Sequence, residues 1–297
     1  MAKIIVTGGA GFIGSNLVDA LIEKGETVII IDNLSGGDKQ NINPKAEFHQ
    51  LDLRNLNDIA PLFKGVDFVF HIAALPRIHI SIKDPIGSNE NNLNATLNVL
   101  VASRDASVKK VIYSSSSSIY GNQEKLPVTE DLLAKPLNPY GLQKYVGELY
   151  CKIFSDLYGL PTISLRYFNV FGNRAPKEGA YATVIGIFLR QKEIGVPLTI
   201  TGDGTQSRDF TYIKDVVRAN LLAGQSQTGK GEAVNIGANR PYTVNDLAKI
   251  IGGETSYIAE RPGEIKHSYA SFKLAKELIG WQPEFDLESG LKDMLGK

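Results

Sequence analysis

Little in this chain can cross-link, chelate or carry an excess of charge. One cysteine, Cys151, occurs in 297 residues. It excludes an internal disulfide framework, suggests a reducing compartment, and is expected to sit buried on a helix. The 4 histidines, His49, His71, His79 and His267, form no close ligand spacing, so metal catalysis is not expected. His71, at a strand end, is expected to pack or bond near a cofactor. Lys+Arg and Asp+Glu both number 32, so the net charge is zero and the basic excess of a nucleic-acid binder is missing. No apolar run approaches the roughly 18 residues of a membrane span. No signal-peptide pattern is seen before the first strand. The expectation is a cytoplasmic protein without nucleic-acid or membrane partners.

What is present is ordinary globular material, 43% hydrophobic and 22% charged. Disorder, collagen and coiled coil are excluded. At roughly 150 residues per domain the length fits about two domains, and a chain of this size can bury about 75% of its unfolded surface.

Strand and helix patterns alternate. Apolar β-rich runs occur at Lys3–Thr7, Thr27–Ile31, Phe48–Leu51, Phe68–Ala73, Val111–Ser115 and Thr162–Arg166. Helical spacing lies between them, at Ser15–Lys24, Asn91–Arg104 and Tyr140–Tyr158. Continuous apolar strands separated by helices predict a parallel sheet covered on both faces, an α/β doubly wound fold of Rossmann type. After Arg166 the rhythm breaks at a Gly/Pro cluster, Gly172–Gly179. Short elements follow: strands at Leu198–Thr201 and Ala233–Ile236, and helices at Ile213–Gly224, Val244–Ile251 and Phe272–Leu278. The predicted division is residues 1–168 as a dinucleotide-binding domain and 169–297 as a smaller, mainly substrate-binding α/β domain. The chain is expected to return to the main sheet near 205–237. The run Ser114–Ser118 is read as a strand-end loop.

Between the first strand and first helix stands Thr7-Gly8-Gly9-Ala10-Gly11-Phe12-Ile13-Gly14. Gly9, Gly11 and Gly14 satisfy GxGxxG; Gly8, Gly11 and Gly14 satisfy GxxGxxG. Glycines allow a tight turn and close approach of backbone to a pyrophosphate, and the next helix presents free N–H groups to it. Asp32 ends the second strand. A carboxylate there accepts from a ribose 2′-OH and repels a 2′-phosphate. No arginine follows closely, so the expected cofactor is NAD rather than NADP. Asp52 either reaches the adenine end or caps a helix.

Tyr140 and Lys144 stand at i and i+4, on one helix face. Free tyrosine, with a pKa of about 10, is a poor base at neutral pH. A nearby ammonium and an oxidised nicotinamide both favour phenolate. Tyr269 and Lys273 share the spacing but lie in the tail. Tyr140 opens the helix after the fifth strand, where such sheets bind ligands, and the serine run ends that strand. A serine hydroxyl can therefore meet Tyr140 over a substrate.

These motifs together resemble the extended short-chain dehydrogenase/reductases, and within them the nucleotide-sugar 4-epimerases. The matching residues run from Lys3 to about Leu291. They include the glycine loop, Asp32-Asn33-Leu34, the serine run with Tyr120-Gly121, Tyr140xxxLys144 and Arg166-Tyr167-Phe168-Asn169. Gly202-Asp203-Gly204-Thr205, Arg208-Asp209-Phe210 and Arg261-Pro262-Gly263-Glu264 match as well. The resemblance implies Ser116 as catalytic serine, Tyr140 as base, and Lys144 as its activator and ribose anchor. It places Tyr167 at the nicotinamide, with Phe12, Ile13, Asn33, Leu53 and Ala73 among further cofactor contacts. Asn169, Arg208 and Arg261 would hold a UDP diphosphate, Ser117 would touch substrate, and Thr183 and Ser268 would wall the sugar pocket. A small residue at 268 admits a 2-acetamido group.

The implied activity is 4-epimerisation of a UDP-hexose through a 4-keto intermediate, with UDP-N-acetylglucosamine and UDP-N-acetylgalactosamine accepted beside UDP-glucose and UDP-galactose. Related 4,6-dehydratases carry Asp and Glu where this chain has Ser117 and Ser118, and hydroxyls cannot replace those carboxylates at neutral pH. The alternatives are a UDP-glucuronate 4-epimerase, a dehydratase or reductase of the same branch, or a non-catalytic NAD-binding module. The resemblance also implies a homodimer, joined through the helices Asn91–Arg104 and Tyr140–Tyr158. Tyr145, Leu149, Ile153 and Leu157 form an apolar stripe that needs cover, from a second copy or from the chain's own sheet.

Overall fold

A computed structural model describes residues 1–177, 182–260 and 265–296. The first half alternates strands with α-helices, apart from the step from the second strand to the third, which holds no α-helix, and a run of helices after the fourth. β1 (Lys3–Thr7) leads to α1 (Phe12–Glu23), β2 (Thr27–Ile31), β3 (Glu47–His49), α2 (Leu56–Ile59) and β4 (Phe68–His71). Then come α3 (Ile78–Lys83), α4 (Pro85–Asn89), α5 (Ala95–Asp105), β5 (Lys110–Ser116), α6 (Pro139–Tyr158) and β6 (Thr162–Tyr167). The later chain holds β7 (Val170–Phe171), α7 (Val184–Glu193), β8 (Leu198–Thr201), β9 (Ser207–Asp209), β10 (Thr211–Tyr212), α8 (Ile213–Gln225) and β11 (Lys230–Ile236). It closes with β12 (Pro241–Thr243), α9 (Val244–Ile251), β13 (Thr255–Ile258), β14 (His267–Ser268), α10 (Lys273–Ile279) and α11 (Leu287–Leu295).

Seven parallel strands form the main sheet in the order β11-β6-β5-β4-β1-β2-β3. The order reverses between β1 and β4, and that switch opens a crevice at their carboxyl ends. Both faces are apolar because successive side chains alternate. Ile4, Val6, Ile30 and Ile112 pack with Leu17, Leu21, Val216 and Ala219 of α1 and α8. Ile5, Ile29, Val69 and Val111 pack with Val99, Leu100, Cys151 and Phe154 of α5 and α6. The α8-side cluster continues without a break to Phe188, Leu247 and Trp281 of the later chain. Among the described residues three small sheets stand there: β13-β8, β12-β9-β14 and β10-β7.

Local chemistry sets the ends of α6. Asn138 caps it by accepting from the Gly141 N–H at 2.9 Å, Pro139 opens it, and Gly159 closes it at φ +67°.

Three sequence expectations change. The serine run is not simply a loop, because Ser114, Ser115 and Ser116 continue β5 in register with Leu165, Arg166 and Tyr167. Ladder bonds to β6 override the weak strand preference of serine. The helix expected over Asn91–Arg104 begins as a π turn, Glu90–Asn94. Asn92 bonds both backbone groups of Leu75 (2.7 and 3.2 Å) and the Gln143 side chain (2.8 Å), which suits the widened turn. Asp52 caps no helix, since Asn55 occupies the cap position of α2. Its carboxylate is held to about 2 by Arg54, whose guanidinium donates to it at 2.7 Å.

Candidate active site

The carboxyl ends of β1, β2, β4, β5 and β6 surround the crevice. Gly8 turns the chain at φ +71°, and a Cβ there would stand 2.8 Å from the Ala73 backbone. A Cβ on Gly14 would stand 2.1 Å from the Gly8 carbonyl oxygen. The left-handed turn therefore belongs to Gly8, so GxxGxxG describes this loop better than GxGxxG. Gly11 is the N-cap of α1 and has no side chain to cover the first amides; Phe12 and Ile13 begin the helix, half-buried. Asp32 accepts from the amides of Ala10 (3.0 Å) and Leu34 (2.8 Å), which fixes its carboxylate just past β2. Two oxygens offer about four acceptor positions, so capacity remains for a ribose hydroxyl. A bare helix N-terminus with a fixed acidic partner fits NAD. Asn33 lies beside it, donating to Asp52 at 3.5 Å. Ala73 backs the glycine turn, and Leu53 is buried with the α5-side core.

His71 ends β4 with both ring nitrogens engaged, Nδ1 with Thr7 (2.7 Å) and Nε2 with Thr96 (2.9 Å). Thr96 donates its own proton to the Asn92 carbonyl, so its oxygen accepts from Nε2–H and Thr7 donates to Nδ1. Burial pushes this imidazole down to about 3, with the charge of Lys144 adding to the effect. It is a neutral bonded strut.

Tyr140, the second residue of α6, is 8% exposed. Its backbone N–H donates to Ser81 of α3 at 3.2 Å. Burial raises the phenol to about 12, while the hydrogen-bonding hydroxyl of Ser116 and then the charge of Arg77 pull it down. The Lys144 ammonium instead donates to the Ser114 carbonyl at 2.7 Å and lies 4.9 Å from the centre of the Tyr113 ring. Burial brings it down to about 7; Cys151 and Glu148 act the other way. Within the chain itself the charge of Arg77 also favours the Tyr140 phenolate. Arg77 stands on the loop after β4, at the sheet's switch point, and that location was its available signal.

Ser116 Oγ accepts twice from Ser118, from its N–H at 3.2 Å and its hydroxyl at 2.9 Å. A hydroxyl oxygen has two lone pairs. With both engaged, the Ser116 proton must point away, toward Tyr140 and the crevice. Ser117, partly exposed, starts the 3₁₀ turn that follows.

The remaining candidates are spread over the later chain. Tyr167 is buried at the end of β6, with its hydroxyl on Asn220 at 3.0 Å. Asn169 adopts φ +30° and donates to the Asp209 carbonyl at 3.0 Å. Thr183 caps α7 through the Gly186 N–H at 3.4 Å. Arg208 pairs in register with Ser268 across β9 and β14 and donates to the Ser207 carbonyl at 2.9 Å. Arg261 and its motif, Arg261-Pro262-Gly263-Glu264, lie outside the described residues, as does Gly179–Tyr181.

Two further residues have roles that the sequence reading did not assign. Asp209 is buried and accepts from the amides of Ala238 (2.9 Å), Asn239 (3.0 Å) and Ala270 (3.0 Å), which ties together the segments around Arg208 and Ser268. Glu148 lies on the Lys144 face of α6. Four-residue spacing from Lys144 was its signal. Among the described residues no cluster of three or more His, Cys, Asp or Glu could hold a metal.

The family profile described as the NAD dependent epimerase/dehydratase family matches residues 4–237. The chain belongs to that family. NAD is its cofactor, and its fold is that of solved epimerases. A crystal structure of UDP-glucose 4-epimerase from Thermotoga maritima, with UDP-glucose, is 40% identical at TM-score 0.95, covering 99% of this chain and 97% of that one. A UDP-N-acetylglucosamine 4-epimerase from Methanobrevibacter ruminantium, in complex with UDP-N-acetylmuramic acid, is 38% identical at 0.92, covering 99% and 96%. A UDP-glucuronic acid 4-epimerase from Bacillus cereus, with UDP-glucuronic acid and NAD, is 34% identical at 0.90, covering 99% and 98%. Kinship to these enzymes makes this family member an enzyme of the isomerase class. Among the described residues no helix is long and apolar enough to cross a membrane.

Proposed function

We propose that the chain epimerises UDP-hexoses at C4 and accepts 2-acetamido sugars beside plain ones. The observation that carries the reading is the grouping at the end of β5: the Ser116 hydroxyl aimed outward, the Tyr140 phenol beside it, and hydroxyls at Ser117 and Ser118 where a dehydratase needs carboxylates. Tyr140 takes the proton from the sugar O4 and later returns it. Ser116 donates to the same oxygen while the C4 carbonyl exists. NAD, when bound, would supply the hydride acceptor and donor for C4. The glycine loop would hold its pyrophosphate, Asp32 its adenine ribose and Lys144 its nicotinamide ribose.

Arg208 would grip the diphosphate of UDP with Arg261, since guanidinium forks suit phosphate oxygens. Its register partner Ser268 then faces the sugar end, and a serine leaves room for an N-acetyl group. The carboxylate sugar of a uronate epimerase is the second reading, supported by the uronate-bound relative among the similar structures. Incubation with UDP-glucose and UDP-N-acetylglucosamine side by side, with product analysis, tests the proposal. Conversion of neither sinks it.

The same reading makes the enzyme a homodimer of the cytoplasm. Leu149, Ile153 and Leu157 are 44%, 45% and 72% exposed in the single chain, turned away from its own sheet. A second copy is the cover we propose, and a strictly monomeric mass by light scattering at micromolar concentration would exclude it.

A further inference from the structure

A second charged pair lies directly behind the proposed catalytic group. Glu148 follows Lys144 by one turn of α6 and Tyr140 by two, all on one face. Its carboxylate is buried and receives Arg166 through Nε (3.0 Å) and a terminal nitrogen (2.8 Å). The Ser115 hydroxyl donates to the same carboxylate. The other terminal nitrogen of Arg166 donates to the Tyr120 hydroxyl at 2.7 Å, and Tyr120 donates to Asn235 at 2.7 Å. The chain of bonds thus links α6, β5, β6, the turn after β5 and β11.

Burying two charges costs several kcal/mol of solvation each, and apolar residues of like volume are often as stable. Stability alone therefore does not explain an ion pair at this place. Its position does. Ser115 is flanked by Ser114, whose carbonyl receives Lys144, and by Ser116, whose hydroxyl meets Tyr140. Fixing Ser115 to α6 fixes both neighbours against the helix that carries Tyr140 and Lys144. We propose that Glu148 and Arg166 are a positioning pair for the reaction: they lock the serine strand to α6, and with it the Ser114 carbonyl that receives Lys144 and the Ser116 hydroxyl that meets Tyr140.

Among the described residues, the titratable groups near Lys144 on α6 are Glu148 and Cys151, with the phenol of Tyr140 one turn before it. From β5 comes Tyr113, whose ring lies under the ammonium, and from β4 comes His71, which is neutral. Cys151 is a buried thiol held up to about 12, so Glu148 is the anion among them. Its loss leaves Arg166 unopposed nearby, and both changes favour neutral Lys144.

The inference rests on the epimerase reading for its rates but has an arm that does not. Lys144 can be titrated by ¹³C NMR of lysine ε-carbons, assigned with Lys144→Met. In Glu148→Gln its midpoint is expected to fall by about one unit or more. The alkaline limb of kcat should shift acidward with it, and kcat at pH 8 should fall by about tenfold, with KM held within threefold. Glu148→Asp keeps the charge and should restore the limb. An unmoved midpoint, or a moved midpoint with unchanged rates, overturns the proposal. If Glu148→Gln does not fold, Ser115→Ala removes only the tie to the strand. A fall in kcat of about threefold or more at unchanged melting temperature supports the pair, and an unchanged kcat overturns it. A wild type inert toward every UDP-hexose would sink the epimerase reading and leave the NMR arm to decide this one.

Discussion

Ser118 donates to Ser116 through its side chain at 2.9 Å and through its backbone at 3.2 Å, so one serine sets the direction of the other's proton. Ser118→Ala removes the first of these bonds and keeps the second. A single hydrogen bond contributes about 0.5–1.5 kcal/mol net. The expected result is a fall in kcat of roughly 2- to 12-fold with KM unchanged, read from initial rates. A change confined to KM would show that Ser118 acts on binding instead.

Tyr140→Phe keeps the buried ring and its packing against the crevice but removes the oxygen that moves the proton. Removal of a general acid–base group costs about 10²–10⁴-fold. Turnover should fall at least that hundredfold while NAD content, measured after denaturation, stays at the wild-type level. Activity within about threefold of wild type would reassign the base.

Ser268→Tyr fills the space beside Arg208. Overpacking a fitted site costs about 1–3 kcal/mol, so kcat/KM for UDP-N-acetylglucosamine should drop by roughly tenfold or more while UDP-galactose is spared. Equal losses on both sugars would remove Ser268 from the specificity argument.

His71 carries a pH signature for stability. Its folded value is depressed to about 3, below the ordinary 6.5. The unfolded chain therefore binds the extra proton between those values, and stability falls as pH drops through that window. Above pH 6.5 the imidazole is neutral in both states and contributes no slope. One such group contributes about 1.4 kcal/mol per pH unit inside the window. Chemical denaturation of His71→Gln from pH 6.5 to 4.5 should show a shallower decline than wild type. Parallel curves would mean that His71 is protonated in the folded protein.

The sequence showed most clearly those elements whose stability is local. Ile4–Thr7 and Thr27–Ile31 are unbroken β-branched runs bounded by glycine or polar residues, and both lie within the strands observed there. The nearness of Ser116 to Tyr140 followed from strand-end geometry. What escaped depends on tertiary partners. Nothing near Asn92 announces its bonds to Leu75 and Gln143, and so nothing announces the π turn. Strands as short as His267–Ser268 hold too few residues to show a period. Arg77 comes near Tyr140 through tertiary packing, since it caps α3, which docks on the start of α6 through Ser81.

The last strand to join the main sheet, β11, also closes the bonding chain behind the proposed catalytic group, through Asn235 and Tyr120. During synthesis β6 therefore emerges with one edge bare and waits for residues some sixty positions downstream. Until they arrive, a parallel strand rich in apolar residues is open to pairing with another nascent chain. The bonding chain behind the proposed catalytic group is thus complete only once the last strand of the sheet has been made.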